Sequence, residues 1–244
     1  MNENRVLLLT GGSGGVGRKI AVEFAKSGYR IAFTYFSHEE GAKAAADEIK
    51  TYHVPVQYYR LDVSDYKRVE EVKDQVWNYF GRIDVLVNNA GIIEASLIKD
   101  MSLDSWKRVI DTNLTGTFNC IKSVIEVMEK QHYGRIITIG SIAADKGSRG
   151  ACSYSASKAG IVGLTKAVAG EAAEKGITVN VVSLGYMNQG ITVRLPEKLR
   201  NKLMQEIPNG KLGDVSKAAQ MIVHIASEEG EYLTGQTIVI SGGA

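Results

Sequence analysis

Short apolar runs recur along the whole chain, and segments of helical length separate most of them. Runs of this length that are rich in Val, Ile and Leu are typical of strands buried on both faces of a sheet. Because strands alternate with helices, the connections are right-handed crossovers and the sheet is mainly parallel. We therefore predict an α/β fold, doubly wound, with helices on both faces and strands at residues 6–10, 30–36, 56–61, 85–88, 135–140, 178–183 and 237–240.

The polar segments predict long helices and one interruption. We predict helices at residues 18–27, 104–130 and 153–175, and two more between residues 196 and 227. Polar β-branched residues and a glycine at 111–117 indicate a kink, which can leave a backbone carbonyl free to bind water. An exposed, slightly weakened helix is the alternative. Without a repeat or an obvious linker, residues 1–244 are predicted to form a single domain, with a mobile loop over the cleft at about 184–210.

A glycine-rich turn follows the first predicted strand. Gly11, Gly14, Gly15 and Gly17 stand there ahead of the first helix. Glycine lets the backbone approach a ligand closely, and a helix N-terminus offers free N–H groups to a phosphate. Such a turn also joins strands to helices without any ligand, but its place at the first strand–helix junction favours a dinucleotide.

Polar residues and glycines also follow the later strands. Asp62 follows the third strand, Ser141 follows the fifth and Gly185 follows the sixth. Each of these is an ordinary cap or turn residue when taken alone. Because ligands of open α/β sheets bind at the carboxyl ends of the strands, the set as a whole predicts a cleft there.

Tyr154 and Lys158 are four residues apart in a predicted helix and would share one of its faces. An ammonium about 5 Å from the phenolate, at an effective dielectric of about 20, stabilises it by roughly 3 kcal/mol and lowers the tyrosine pKa by about two units. This pair then predicts a proton-transfer site. A solvated Tyr/Lys pair is the better interpretation of the spacing alone, so the other residues must support it.

Composition excludes several functions. The chain has 29 basic and 27 acidic residues, a net charge of +2 and no long basic block, which argues against nucleic-acid binding. The apolar run at residues 6–9 is too short to span a membrane, and we expect a cytoplasmic location. Cys120 and Cys152 form no disulfide framework, and the four histidines lack the spacing of metal ligands, so no metal site is predicted.

In order and spacing, these motifs resemble those of the short-chain dehydrogenase/reductase family over essentially the whole chain. The resemblance rests on Thr10, Gly11, Gly15, Gly17, Asp62, Asn88, Asn89, Ala90, Gly91, Asn113, Ser141, Tyr154, Lys158 and Asn180. Residues 134–141, 175–180 and 207–213 are similar to the 3-oxoacyl-acyl-carrier-protein reductases and the acetoacetyl-CoA reductases within it. The resemblance implies a Rossmann-type fold of about seven strands and a 3-oxoacyl thioester, bound to acyl carrier protein or CoA, as substrate.

The resemblance also assigns roles. Tyr154 would donate a proton to the substrate oxygen, Ser141 would hydrogen-bond that oxygen, and Lys158 would hold the nicotinamide ribose. Asn113 would anchor a water that continues the proton relay. The implied cofactor site comprises Gly11, Ser13, Gly14, Gly15, Val16, Gly17, Ser37, His38, Asp62, Val63, Asn89, Ala90, Gly91, Tyr154, Lys158, Gly185 and Met187.

The end of the second strand bears on the choice of cofactor. NAD-preferring relatives often carry an acidic residue there, and residues 34–38 of this chain contain none. We therefore expect NADPH. Many NADP-dependent relatives carry a basic residue where this chain has Gly14, so Ser37, His38 or their backbone would bind the 2′-phosphate.

The chain departs from the family pattern in one segment: Leu184 replaces a usual proline, and Gln189 a usual threonine. This segment meets the nicotinamide in relatives, so the departures predict specialisation of the loop or weaker cofactor binding.

Partners follow from the resemblance. It implies a homotetramer built through helices 104–130 and 153–175, whose residues Val124, Val127, Ile161 and Leu164 would serve the interface or simply the core. An acidic carrier protein could meet His132, Arg149 and Lys175 near the mouth of the cleft.

Two further functions stay open: a dehydrogenase of a sugar or secondary alcohol, and a non-enzymatic nucleotide-binding sensor. Enoyl reduction is disfavoured, because such relatives usually place the tyrosine and lysine further apart.

Overall fold

The computed structural model describes residues 4–244 and contains a parallel sheet of seven strands. Their order is β3-β2-β1-β4-β5-β6-β7, and every neighbouring pair is parallel. The order reverses between β1 and β4, which is where a doubly wound sheet opens a crevice. The strands are β1 Val6–Leu9, β2 Arg30–Tyr35, β3 Val56–Arg60, β4 Val85–Asn88, β5 Gly134–Ser141, β6 Ile177–Leu184 and β7 Thr237–Ile240.

Nine α-helices are present in this part of the chain. They are α1 Gly15–Lys26, α2 Glu39–Lys50, α3 Tyr66–Phe80, α4 Leu103–Ile110, α5 Gly116–Gln131, α6 Ala143–Lys146, α7 Cys152–Ala172, α8 Glu197–Gln205 and α9 Val215–Ala226. The two helices predicted between residues 196 and 227 are confirmed as α8 and α9. The first helix begins at Gly15 instead of residue 18, because the last glycines of the turn already belong to its first turn.

Apolar residues cover both faces of the sheet, which confirms the predicted fold class. Residues of α1, α2 and α9 pack on one face, and residues of α3, α5 and α7 pack on the other. Val124 and Ile161 are fully buried, and Val127 and Leu164 pack against the core. Within one chain these four residues are therefore buried or pack against the core, and their role in an interface stays a prediction.

The predicted kink lies between α4 and α5. Residues Asp111–Thr115 form a single π-helical turn, a common cause of helix kinks. The kink predicted a free backbone carbonyl in this turn. The carbonyl of Asn113 is instead bonded, because it accepts a hydrogen bond of 2.7 Å from the Thr117 hydroxyl. One of its two lone pairs is therefore already taken.

Contacts hold the segment after β6 at several points. Gly185 N donates to Ile240 O at 2.9 Å, and Asn188 N donates to Gly213 O at 2.9 Å. A short 3₁₀ turn, Thr192–Arg194, then leads to α8. The mobility of residues 184–210 remains a prediction. Among residues 4–244, every helix is too short or too polar to span a lipid bilayer.

Candidate functional site

A cleft of about 1230 Å³ opens at the carboxyl ends of the strands. All seventeen residues of the implied cofactor site line this cleft, and so does Ser141. Asn113 does not line it but is buried directly behind it. The fold therefore brings the sequence-predicted residues together, although they come from eight separate segments of the chain.

The glycine turn between β1 and α1 leaves space for a ligand. Gly14 is extended, and a Cβ built on it would meet no other atom of the described residues within 4 Å. At Gly17, in contrast, a Cβ would collide with the carbonyl of Gly11 and lie 2.6 Å from Asn89 Nδ2. Gly14 thus leaves the cleft side open, while Gly17 allows the helix to pack against the turn.

The N-terminus of α1 suits an anion. Among the residues described, no side chain caps it and its first turn has no acidic residue. The free N–H groups and the positive end of the helix dipole therefore face the cleft without a competing negative charge. Together with the space at Gly14, this fits the pyrophosphate of a dinucleotide.

The turn after β4 is bonded to the glycine turn. The Thr10 hydroxyl accepts hydrogen bonds of 3.0 Å from Asn89 N and from Ala90 N, and Asn89 Nδ2 donates to Thr10 O and Gly11 O at 3.0 and 2.9 Å. The side chain of Asn89 consequently fixes the shape of the turn. Next to it, Asp62 Oδ1 accepts from Ser64 N at 3.0 Å.

Asn113 and Lys158 converge on Gly91. A Cβ built on Gly91 would lie 3.2 Å from Asn113 Oδ1 and 3.9 Å from Lys158 Nζ. Asn113 Oδ1 accepts from Ile92 N at 2.8 Å, and its Nδ2 donates to Ser157 Oγ at 3.1 Å. The kinked turn is thereby joined to both the β4 loop and α7, beside the ammonium of Lys158.

Lys158 is a buried cation. Its Nζ donates to Ile139 O at 2.6 Å and lies 5.6 Å from the centre of the Tyr154 ring. Burial lowers the pKa of this ammonium to about 8. The group is therefore poised to exchange a proton near neutral pH when its surroundings change.

The pKa of Tyr154 differs from the sequence-based expectation. Burial raises the pKa of the phenol above its usual value, and the neighbouring Ser141 hydroxyl opposes this rise. Lys158 does not produce the expected lowering, because its ammonium is directed at the Ile139 carbonyl and is itself destabilised by burial. The phenol accordingly keeps its proton through neutral pH.

At the end of β2, the structure adds two residues that the sequence did not single out. Phe36 lines the cleft beside Ser37 and His38, and 58% of it is exposed. Arg60, the last residue of β3, donates from Nε to Phe36 O at 3.2 Å. A cation therefore stands next to the strand end where an acidic residue would be typical of NAD-preferring relatives.

The departures from the family pattern lie in a well-bonded segment. Leu184 completes β6 and pairs with Ser141 of β5 and Ile240 of β7. Gln189 lines the cleft. Close by, the Thr192 hydroxyl accepts from Met187 N at 3.3 Å. This buried hydroxyl near position 189 could not be found from motif spacing, because the contact depends on how the loop turns back.

The surface suggested for an acidic carrier protein is wrong for two of its three residues. His132 precedes β5 and Lys175 precedes β6, so both lie at the amino ends of the strands. Eight residues of β5 put these ends about 25 Å from the cleft. Arg149 does line the cleft, and so do Lys146 and Lys202.

The remaining reactive side chains offer no second site. In the part of the chain that is described, no three His, Cys, Asp or Glu residues are grouped to hold a metal ion. Burial raises the pKa of the Cys120 thiol to about 12. Cys152 lies with its Sγ 3.5 Å from Met101 Sδ.

Known proteins match nearly the whole chain. A family model described as enoyl-(acyl carrier protein) reductase matches residues 11–244. The 3-oxoacyl-[acyl-carrier-protein] reductase FabG of Staphylococcus epidermidis (strain ATCC 35984) is 40% identical over 240 residues, which are 98% of each chain. The acetoacetyl-CoA reductase of Shinella zoogloeoides is 41% identical over 241 residues, also 98% of each chain.

Solved structures are similar over the whole length as well. The NAD⁺-bound xylitol dehydrogenase superposes with a TM-score of 0.94 at 28% identity and covers 99% of both chains. Levodione reductase superposes with a TM-score of 0.95 at 28% identity, covering 100% of this chain and 98% of that one.

Proposed function

Because the chain belongs to the short-chain dehydrogenase/reductase family, we propose that it reduces a 3-oxoacyl thioester to the 3-hydroxyacyl thioester with NADPH. The chain is an oxidoreductase of the CH–OH group. The observation that carries the proposal is the convergence of Ser141, Tyr154 and Lys158 at one end of a cleft whose other end fits a pyrophosphate. Relatives at about 40% identity named for such thioesters support the substrate class.

Each residue would act on a stated atom. A bound reduced nicotinamide supplies hydride to the substrate carbonyl carbon. Tyr154, protonated because burial raises its pKa, donates its proton to the oxygen on which charge develops. The Ser141 hydroxyl hydrogen-bonds that same oxygen, and such preorganised donors stabilise mainly the transition state.

Lys158 and Asn113 would support the phenol. The Lys158 ammonium would hold the ribose hydroxyls next to Gly91 and stabilise the phenolate once the proton has left. Asn113 holds the π-helical turn against Ser157, and its carbonyl would bind the water that returns a proton beside the bond from Thr117. A pKa of about 8 would let Lys158 pass a proton near neutral pH.

The selection of NADPH is supported at the end of β2. The 34–38 segment has no acidic residue, and the Arg60 guanidinium lies against the Phe36 carbonyl. Glu39 and Glu40 in the first turn of α2 act in the opposite direction. Arg60→Met should therefore lower the affinity for NADPH and leave the affinity for NADH unchanged, as measured by fluorescence titration. An unchanged ratio of the NADPH and NADH dissociation constants would count against this role of Arg60.

Three other activities are weighed. The family model is described as an enoyl reductase. However, relatives that reduce enoyl groups usually place the tyrosine and lysine further apart than the four residues between Tyr154 and Lys158. The structural similarity to xylitol dehydrogenase and levodione reductase favours a free polyol or ketone as second candidate. A sensor that only binds a nucleotide could use Lys158 to hold the ribose, but it has no need of the Tyr154 phenol and the Ser141 hydroxyl in the same cleft.

The proposal further includes a single-domain chain that assembles as a homotetramer, a substrate carried by CoA or acyl carrier protein, and a cytoplasmic location. The cleft-lining Lys146, Arg149 and Lys202 support an anionic carrier, since phosphates of CoA or a carrier's phosphopantetheine would pass this rim.

A substrate panel tests the function. NADPH consumption is followed with acetoacetyl-CoA, crotonyl-CoA and a free diketone, and NAD⁺ reduction with xylitol. We expect fast turnover of acetoacetyl-CoA, with 3-hydroxybutyryl-CoA as product. We expect no turnover of crotonyl-CoA. Turnover of xylitol or the diketone alone would replace the proposal with the second candidate.

A further inference from the structure

One face of α8 forms part of the cleft wall. Its residues that line the cleft are Leu199, Lys202, Leu203 and Glu206. Steps of three and four residues put them on a single face of the helix. Leu199 is nevertheless 43% exposed. The helix therefore presents leucines to the open cleft and not to the core.

A second apolar side chain reaches the cleft from the β4 loop. Leu97 lines the cleft and is also 43% exposed. Ser96 N donates to Gly150 O at 2.8 Å and pairs with Ala151, immediately before α7. This pairing holds Leu97 beside the first turn of α7, where Tyr154 stands.

The segment before α8 extends the same surface. Leu195 lines the cleft and is half-buried. It follows the turn whose Thr192 hydroxyl bonds Met187 N, so that turn anchors it near the end of β6. The apolar wall consequently lies at the end of the cleft that holds Ser141 and Tyr154.

We propose that Leu97, Leu195, Leu199 and Leu203 form a subsite for the acyl chain of the substrate, and that this subsite selects medium-chain over acetoacetyl thioesters. The inference rests on the proposed function. Leu199 and Leu203 are one helical turn apart, about 6 Å. The single methyl group beyond the reacting carbonyl of acetoacetyl-CoA is too short to cover that span.

Charge and polarity indicate the occupant. Lys202 lies on the same helix face, and Lys146 and Arg149 line the same cleft, so an apolar chain joined to an anionic carrier matches both kinds of residue. A polyol would set its hydroxyl groups against four leucines, which offer no hydrogen-bond partner. Each methylene buried on such a wall strengthens binding by a factor of about four.

Binding of unreactive thioesters tests the subsite without turnover. Butyryl-CoA and octanoyl-CoA, which have no 3-oxo group, are titrated calorimetrically into the protein with NADP⁺ bound. We expect octanoyl-CoA to bind at least about tenfold more tightly, since four added methylenes are partly buried. Leu199→Gln should lower this ratio at least about threefold, while Met204→Gln, on another face of α8, should retain it.

The outcomes separate the two proposals. Equal affinities, no binding of either thioester, or an unchanged ratio in Leu199→Gln would overturn the subsite. Chain-length-dependent binding without turnover of acetoacetyl-CoA or 3-oxooctanoyl-CoA would support the subsite and overturn the proposed reaction. With both correct, kcat/KM for 3-oxooctanoyl-CoA exceeds that for acetoacetyl-CoA, and Leu199→Gln reduces the difference.

Discussion

Lys158 shows how the site places function ahead of stability. An ammonium buried among α7 and the strand ends, with one carbonyl partner at 2.6 Å, has its pKa lowered from 10.5 to about 8. A shift of this size corresponds to roughly 3 kcal/mol that the folded chain loses at neutral pH by keeping the charge. The same cation is the group that would hold the ribose and stabilise the phenolate.

Lys158→Met should therefore stabilise the ligand-free protein while removing activity. We expect a gain of about 2 kcal/mol at pH 7, because the lost bond to Ile139 O offsets part of the relief. Urea denaturation measures it. Lys166→Met, at an exposed position of the same helix, should change stability by less than about 0.5 kcal/mol.

The sign of the pH dependence follows from the lowered pKa. Between about pH 8 and 10.5 the unfolded chain still holds the lysine proton while the folded chain has lost it, so the wild type gains stability as pH rises. The advantage of Lys158→Met should shrink from pH 7 to pH 9.5. An advantage that is constant or grows would contradict the burial of this charge.

Sequence reasoning at the residue scale succeeded where chemistry is tied to spacing. Tyr154 and Lys158 are four residues apart in one helix, so their proximity is readable from the chain. Arg60 and Phe36 meet only because β2 and β3 pair in a particular register, and no local pattern encodes that contact. The predicted lowering of the Tyr154 pKa was wrong, because burial raises it and burial depends on the fold and not on the spacing of the pair.

At the scale of elements, the strand–turn–helix unit β1–α1 contains one glycine that is tightly packed, Gly17, and one that faces open space, Gly14. Gly17→Ala places a methyl group against the Gly11 carbonyl and Asn89, so the turn must move. Gly14→Ala meets no atom of the described chain and keeps an extended backbone. The two substitutions add the same methyl group to one turn and form a matched pair.

We expect Gly17→Ala to cost about 2 kcal/mol of stability and Gly14→Ala to leave the melting temperature unchanged. Gly14→Ala should also leave NADPH binding unchanged, because the open space at Gly14 admits a methyl group and many NADP-dependent relatives carry a larger, basic side chain there. Thermal melts and fluorescence titration measure both. A loss of NADPH binding in Gly14→Ala would show instead that the bound ligand fills the space beside this glycine.

Element boundaries were predictable to within about one residue for the strands, because buried parallel strands are continuous apolar runs. Residues 85–88 and 237–240 match their strands without any change. The kink at 111–117 was also visible, but its hydrogen bonding was not. The Thr117 hydroxyl donates to the Asn113 carbonyl four residues earlier, a bond that Ser and Thr side chains form within helices.

Across the whole molecule, direction along the strands decides what can act together. His132 and Lys175 lie at the amino ends of β5 and β6, whereas the cleft is at the carboxyl ends. The sequence contained this information, since both residues precede their strands. The large separation follows from strand length, and the basic rim of the cleft consists instead of Lys146, Arg149 and Lys202.

The exposed edge of the sheet bears on assembly. β7 is an edge strand, Val239 on it is 52% exposed, and Met221 on α9 is 45% exposed. An apolar sheet edge is normally covered by another chain or element. We expect a homotetramer by light scattering, and dimers for the double variant Met221→Glu/Val239→Glu. The control Ile98→Glu should remain tetrameric; a monomeric wild type would refute this assembly.

The proposed reaction depends on the Tyr154 phenol as proton donor to a thioester-bound ketone. The most direct measurement is acetoacetyl-CoA reduction by Tyr154→Phe, with NADPH affinity measured on the same preparation and Tyr79→Phe as control. We predict a loss of at least about 10²-fold in kcat with NADPH still bound, because the variant lacks only the donor. Turnover retained in Tyr154→Phe would contradict the proposed role of Tyr154 as proton donor.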